Sequence, residues 1–523
     1  MGIYLNPGDE LFWQAAHSEI YVDKTGLLNY TNKVLRTSQK YLCVSRPRRF
    51  GKSMAANMVA AYYDRTVDAS STFAGLAIRQ SDDFETYRNK YDVIQLNMQN
   101  FLSRTHDMQA FLQRLKKSIL WDVLEEYPDY RYFDSEDLIR TLSDVHRQTE
   151  RPFVIIIDEW DCVFREYRDN NEWQKLYLDF LRDWLKDNSS IALVYMTGIL
   201  PIKKYGTHSA LNMFREFSME DPLELAPYVG FTSEEVQALC RRYERSFEEC
   251  QRWYDGYSFH EVSEVYNPHS VVEAISSGRF DTYWNQTETY EALKIYITMN
   301  FDGLRDSIIK LLSGERQSIN TKTFGNDMTS FQSADDVLTL LVHLGYLGYD
   351  SSTEEVFIPN QEIAREYYNA ITTTDWDVVV RALKQSEQLL QAVLDKDTEA
   401  VAKGIEEAHM ESSHIQYNDE NALSYTLSLA FYSARQKYKI FRELPTGKGY
   451  ADLVFLPRPL HTDLPALVAE LKWNKNAKAA IQQIRDRRYG KALEDYAGRI
   501  LAVGISYDKE TRQHECVIEE YRK

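Results

Sequence analysis

The apolar run Tyr41-Leu42-Cys43-Val44-Ser45 leads without a break into Arg46-Pro47-Arg48-Arg49-Phe50-Gly51-Lys52-Ser53, and residues 53–63 then read as a helix. A strand, a glycine-containing loop and a helix in that order aim several backbone N–H groups at one point, where the helix dipole adds positive potential. Gly51 admits close backbone approach, the Lys52 ammonium reaches outward, and Ser53 supplies a hydroxyl. The first glycine of the usual G-x-x-x-x-G-K-[ST] spacing is replaced by Arg46, and Arg46, Arg48 and Arg49 make the loop basic. Downstream, Phe153-Val154-Ile155-Ile156-Ile157-Asp158-Glu159 is an apolar strand that ends in two carboxylates. Further strand candidates at 91–96 and 191–197 alternate with helical stretches at 106–126 and 173–186, which confines this part to a parallel sheet covered on both faces.

The chemistry that fits this pattern is the binding of a nucleoside triphosphate with Mg²⁺. Lys52 would reach the terminal phosphates, Ser53 and Asp158 would hold the Mg²⁺ shell, and Glu159 would orient or deprotonate the attacking water. Thr197, closing the fourth strand before Gly198, is a candidate sensor of the terminal phosphate. The expected nucleotide contacts are therefore Arg46, Arg48, Arg49, Phe50, Gly51, Lys52, Ser53, Asp158 and Thr197. A lone G-K-S has little specificity, and Asp158 and Thr197 also read as ordinary strand ends. The order of strand, loop, helix and acidic strand end decides for the site.

At 523 residues the chain is too long for one core. The expected domains are 1–220 around the loop, a mostly helical 221–375, a helical connector at 376–418 and a last domain at 419–523. Thr232-Ser233-Glu234-Glu235 is a capping box that opens a helix through Tyr243. A helix over 334–344, a hairpin at 346–349 and 355–358, and a helix over 360–367 give the middle a winged-helix-like order; its acidic charge favours a packing role over DNA binding. Cys43, Cys162, Cys240, Cys250 and Cys516 are scattered and odd in number, which predicts buried thiols rather than a disulfide or zinc framework. No run approaches the ~18 apolar residues a membrane span needs, and the first residues lack signal-peptide character, so a cytoplasmic protein is expected. The formal net charge of −18 argues against nonspecific nucleic-acid coating. From Glu420 onward, however, 18 Lys and Arg stand against 13 Asp and Glu, so the C-terminal part is locally basic.

That part carries a second pattern. Residues 451–456 and 466–472 read as two strands joined by a Pro-rich connection. Asp452 near the start of one and Glu470 near the end of the next come close in an antiparallel pair, and Glu470 and Lys472, two apart, project to one face. Two carboxylates that position divalent metal, with a lysine beside them, suit phosphodiester hydrolysis. Glu420, at the head of a helix expected over 420–434, could add a ligand. The metal candidates are thus Ser53 and Asp158 at the first site and Glu420, Asp452 and Glu470 at the second. A salt bridge between strand-end charges is the plain alternative.

Taken together, Tyr21-Val22-Asp23-Lys24-Thr25, Arg46–Ser53, Asp158-Glu159-Trp160-Asp161, Thr197-Gly198, Trp253-Tyr254-Asp255-Gly256-Tyr257 and Tyr266-Asn267-Pro268 resemble the prokaryotic AAA-ATPase-like family. In that family R-P-R-R-F-G-K-S is the usual loop, and a C-terminal PD-(D/E)XK nuclease-like domain is common. Gln483, on a helix expected over 479–489, matches that superfamily's additional polar position. The resemblance implies an α/β protein with three parts: a P-loop NTPase parallel sheet, a helical, winged-helix-like middle and a restriction-endonuclease-like C-terminal domain. It implies ATP and Mg²⁺ as cofactors, with Mn²⁺ as a substitute at the second site. The implied partners are DNA or RNA and a homo-oligomer, with no membrane. The expected function is an ATP-binding, ATP-hydrolysing module that controls Mg²⁺-dependent cleavage, with Glu159, Asp452, Glu470 and Lys472 as catalytic residues. The alternatives are a nucleotide-controlled switch whose last domain binds DNA or RNA without cutting, and an ATPase with a structural tail.

Overall fold

A computed structural model describes residues 2–105, 107–205, 208–209, 211–259, 262, 264–284, 293, 295–296, 301–312, 314–326, 328–329, 331–372, 386, 388–411, 431, 434–446, 449–457, 464–486, 498–511 and 513–521. The chain divides into two compact units, Met1–Tyr368 and Asn369–Lys523.

The first unit is built on five parallel strands: β1 Tyr41–Ser45, β2 Asp92–Asn97, β3 Phe153–Asp158, β4 Ile191–Gly198 and β5 Arg215–Phe217, in the spatial order β2-β3-β4-β1-β5. β1, β3 and β4 are buried at every residue, as their unbroken apolar runs require when helices cover both faces. β5 is three residues long, two of them the charged Arg215 and Glu216, so no strand signal marks it in the sequence. Because β4 lies between β1 and β3, the loop after β1, the Asp158 end of β3 and the Thr197 end of β4 meet along one edge of the sheet. Helix α1 (Lys52–Tyr63) follows β1, and the short α2 (Cys162–Glu166) follows β3.

The rest of this unit is mostly helical. Helix α3 (Ser233–Arg242) opens on the expected capping box: Thr232 N donates to Glu235 Oε2 at 2.7 Å and Glu235 N to Thr232 Oγ1 at 3.5 Å. It shares a small core with α4 (Phe247–Tyr254) and α5 (Pro268–Ser277) through Val236, Trp253, Val271 and Ile275. The helix–hairpin–helix order is then observed: α6 (Ala334–Leu344), strands β7 (Gly348–Asp350) and β8 (Glu355–Phe357), and α7 (Gln361–Thr372). An unanticipated strand, β6 (Gln317–Ser318), pairs with β8 to complete three strands.

The second unit holds helix α8 (Thr398–Glu411) and a five-stranded sheet. Its strands are β9 (Tyr438–Thr446), β10 (Gly449–Pro457), β11 (Ala466–Trp473), β12 (Ile500–Asp508) and β13 (Gln513–Tyr521), in sequential order and antiparallel except for the β11–β12 pair. One face buries Leu453, Leu467, Ala469, Leu471, Val503 and Ile505 against Leu389, Val393, Val401 and Ile405. Residues 389–405 fall in the expected connector, yet they form part of this core, because their apolar positions have a sheet face to cover. The other face packs Val454, Val468 and Ala502 against helix α9 (Ala477–Asp486) through Ile481 and Ile484. All five cysteines are buried and unbridged. Among the described residues no helix is long and apolar enough to cross a membrane.

Candidate functional site

Gly51 is the N-cap of α1, with φ of +88°, and a Cβ there would meet open space. The glycine is thus needed for its backbone conformation and not for lack of room. Arg49 adopts φ of +68° despite its side chain, a strain of order 1–2 kcal/mol that its surroundings hold in place. Behind the turn, Lys52 folds back onto the loop, its Nζ donating to Arg46 O at 3.0 Å and Pro47 O at 2.8 Å. Burial pushes the Lys52 pKa down, while Glu159, Asp158 and Asp161 pull the other way.

The three strand ends converge on Asp158. Its Oδ2 accepts from Ser53 Oγ at 2.7 Å and from Asn97 Nδ2 at 3.4 Å; its Oδ1 accepts from Glu159 N at 3.1 Å and from the Thr197 hydroxyl. A hydroxyl and a carboxylate brought together at a helix N-terminus form the oxygen donor set suited to Mg²⁺. Thr197 is fully buried, and its contact is with Asp158. Glu159 has φ of +54° and pairs with Arg165, a residue that sequence reasoning passed over. Burial raises the Glu159 pKa, and Arg165 and Lys52 oppose that rise.

A cavity of about 710 Å³ opens in front of the turn. Arg48, Arg49, Phe50, Gly51, Lys52, Ser53, Glu159 and Arg165 line it on the sheet side, and Tyr228, Phe231 and His269 line it from the helical part. Arg46 is placed elsewhere. It is fully buried, its Nη1 bonds to the carbonyls of Ser45 (2.8 Å), Phe217 (2.9 Å) and Ser218 (3.0 Å), and its guanidinium lies over the Phe259 ring. It therefore ties β5 to β1 behind the loop, and burial pushes its pKa down to about 10. The remaining loop residues reach the helical part. Arg49 donates to Tyr283 O, Phe50 stacks edge-on against Tyr257 with centroids 5.3 Å apart, and Pro47 packs where a Cβ on Gly345 would come within 2.8 Å.

The other motifs are fasteners. Asp23 accepts from Thr25 N at 2.8 Å and Ala77 N at 2.6 Å, and Lys24 donates to Pro227 O and Glu235 Oε1, both at 2.7 Å. Gly256, with φ of +108°, lies so close to the Pro359 carbonyl that a Cβ would come within 2.1 Å. Asn267 caps α5 through Ser270 N at 3.2 Å.

In the second unit, β10 and β11 are antiparallel with Leu453 opposite Ala469, so Asp452 and Glu470 are the next residues along the two strands. Glu470 is 1% exposed, and Lys472 Nζ lies 3.4 Å from its Oε1 and 2.8 Å from Leu471 O. Gly504 stands opposite Glu470 on β12, and a Cβ there would come within 2.5 Å of Ala477 O. That missing side chain lets α9 settle over the face shared by Glu470 and Lys472. Sequence reasoning missed Gly504, although a glycine inside an apolar strand signals close approach. Gln483 is half-buried on α9. Glu420 lies outside the described residues, and among those described no three His, Cys, Asp or Glu side chains form a metal-holding group.

Fold and site together define the first unit as a P-loop nucleotide-binding fold with a helical extension. Residues 15–207 match the family described as predicted AAA-ATPase, and residues 419–516 match the PD-(D/E)XK nuclease superfamily. The chain thus carries an AAA-ATPase-like domain followed by a PD-(D/E)XK nuclease superfamily domain. No curated protein matches it. Among solved structures, Cdc6p from Pyrobaculum aerophilum is 10% identical, spanning 70% of this chain and 98% of its own at a TM-score of 0.25. The ORC2 protein of Aeropyrum pernix, as ADPNP–ADP complexes, is 14% identical, spanning 68% and 97% at a TM-score of 0.28.

Proposed function

We propose that the first unit binds and hydrolyses ATP and thereby controls phosphodiester cleavage by the C-terminal domain. The observation that carries the nucleotide reading is the 2.7 Å contact between Ser53 Oγ and Asp158 Oδ2, directly below the Gly51–Lys52 turn. The backbone N–H groups of that turn and the Lys52 ammonium bind the phosphates, and Ser53 and Asp158 would hold Mg²⁺. The ion, when bound, supplies charge neutralisation at the phosphates. Glu159 takes the proton of the attacking water as its oxygen bonds to the terminal phosphorus; the bond to the bridging oxygen breaks, and its electron pair leaves on ADP.

In the C-terminal domain Asp452 and Glu470, with Glu420, would hold Mg²⁺ or Mn²⁺, which supplies an activated water. Lys472 stabilises the charge that develops on the phosphate oxygens, and Gln483 orients the substrate. The substrate is DNA or RNA, consistent with the basic balance of this part of the chain. Control is supported by the contacts of Pro47, Arg49 and Phe50 with the helical part, through which a filled loop would bias the arrangement of that part. Five buried, unbridged cysteines support a reducing, cytoplasmic setting.

Calorimetric titration of ATP·Mg²⁺ into the full chain, with phosphate release measured alongside, tests the nucleotide reading. Wild type is expected to bind and turn over, and Lys52→Ala to lose both. Equal binding by wild type and Lys52→Ala would overturn it.

A further inference from the structure

Arg165 belongs to no nucleotide-binding pattern in the sequence, yet it lines the same cavity as Gly51, Lys52, Ser53 and Glu159. Its side chain is 7% exposed, and its Nη2 donates to Glu159 Oε2. Exposed ion pairs contribute little to stability. This one is nearly buried, and its acidic partner faces the same cavity. A looser brace lies behind the guanidinium, an ion pair of Nε with Asp161 Oδ2 at 3.4 Å that is not a hydrogen bond. Asp161 is itself immobilised, fully buried, with Oδ2 accepting from Ile199 N at 3.0 Å and Leu200 N at 2.8 Å. Room for this brace comes from Gly198, where a Cβ would lie 2.5 Å from Trp160 Cδ1 and 2.8 Å from Asp161 Oδ1. Backbone at the end of β4, Asp161, Arg165 and Glu159 thus form one chain of charge-assisted contacts. It ends on a carboxylate held in a left-handed turn, φ +54°.

We propose that Arg165 is the positioning residue of the ATPase site, holding the Glu159 carboxylate at the cavity through Oε2 and leaving Oε1 to take the water proton. The inference rests on the reading that this unit hydrolyses ATP. It explains why Asp158-Glu159-Trp160-Asp161 and Thr197-Gly198 occur together. The first segment supplies the carboxylate and the brace, and the second supplies the two N–H donors just beyond it and the gap they need. A misdirected base loses rate without losing substrate, because the phosphates are bound by other groups.

The test is steady-state ATP hydrolysis by the full chain in Mg²⁺, comparing wild type, Arg165→Ala and Arg165→Lys. Arg165→Ala is expected to lower kcat about 10- to 100-fold with KM for ATP within about twofold. Arg165→Lys is expected to recover part of kcat at the same KM, since a lysine restores the charge but not the planar fork. An unchanged kcat in Arg165→Ala overturns the proposal. So does a KM raised about tenfold at full kcat, which would place the guanidinium on the nucleotide. Should Arg165→Ala not fold, Arg165→Lys decides alone: a partial fall in kcat at constant KM supports the proposal, and an undiminished kcat overturns it. A wild type that releases no phosphate removes the hydrolysis reading itself and this inference with it, whereas a wild type that turns over equally with Arg165→Ala removes only the inference.

Discussion

Replacing Glu362 with glutamine should remove a pH dependence from the stability of the first unit. Glu362 sits in the first turn of α7, 1% exposed, and its Oε1 accepts three hydrogen bonds: Tyr283 N at 2.6 Å, Trp284 N at 2.9 Å and Ser270 Oγ at 3.1 Å. These bonds pin the 283–284 segment, whose Tyr283 carbonyl takes Arg49 and whose Trp284 ring abuts Gly345 beneath Pro47. Burial is the largest influence on the carboxyl and, with Glu366 adding to it, raises its pKa to about 7 from 4.5, against the opposing hydrogen bonds. The folded state therefore favours the protonated form. Its contribution is fully present below about pH 4.5 and is lost as pH rises through about 7. A shift of that size corresponds to roughly 3 kcal/mol. Glutamine keeps an oxygen for the three donors and cannot ionise. Urea unfolding of the full chain, followed by tryptophan fluorescence, should find Glu362→Gln and wild type close near pH 4.5 and the variant more stable by roughly 3 kcal/mol near pH 8. A difference that stays flat with pH, or one that favours wild type increasingly as pH rises, would refute the reasoning, because it would mean that the fold holds Glu362 ionised.

Two further substitutions probe the backbone at the nucleotide site. Gly198→Ala places a Cβ within 2.5 Å of Trp160 Cδ1 and should cost roughly 1–3 kcal/mol, read as a lowered unfolding midpoint; an unchanged midpoint would show that the turn can move aside. Gly51→Ala meets no neighbour but must hold φ near +88°, a strain of about 1–2 kcal/mol. The variant turn is expected to relax in the free protein and to take up that strain again when it closes on phosphate. ATP affinity measured by calorimetry should therefore fall about 5- to 30-fold with little change in melting, and undiminished affinity would mean that the turn does not set the phosphate geometry.

Where a signal was long and apolar, the sequence sufficed. β1, β3 and β4, the capping box at Thr232 and the Ala334–Leu344 helix lie where periodicity places them, and the antiparallel β10–β11 pairing runs to Leu453 opposite Ala469, the residues next to Asp452 and Glu470. Short or charged elements left no such trace. β5 reads Arg-Glu-Phe and β6 is two residues long, so both depend on neighbouring strands more than on their own propensity. β9, β12 and β13 lie outside the metal pattern and are marked in the sequence only by their own apolar residues. The basic loop invited the inference that all its arginines face phosphate. Composition cannot distinguish a guanidinium aimed at a ligand from one that satisfies carbonyls, and Arg46 does the latter. Arg165 and Asn97 were missed for the opposite reason. Each is an ordinary residue in its own segment and joins the site only because β2, β3 and α2 end at the same edge of the sheet.

The most direct test of a nuclease under nucleotide control is cleavage of single- and double-stranded DNA and RNA by the full chain in Mg²⁺, with and without ATP, for wild type, Lys472→Ala and Lys52→Ala. The account predicts that wild type cuts, that Lys472→Ala does not, and that the effect of ATP disappears in Lys52→Ala. Absence of cleavage under every condition, or cleavage undiminished in Lys472→Ala, would contradict it.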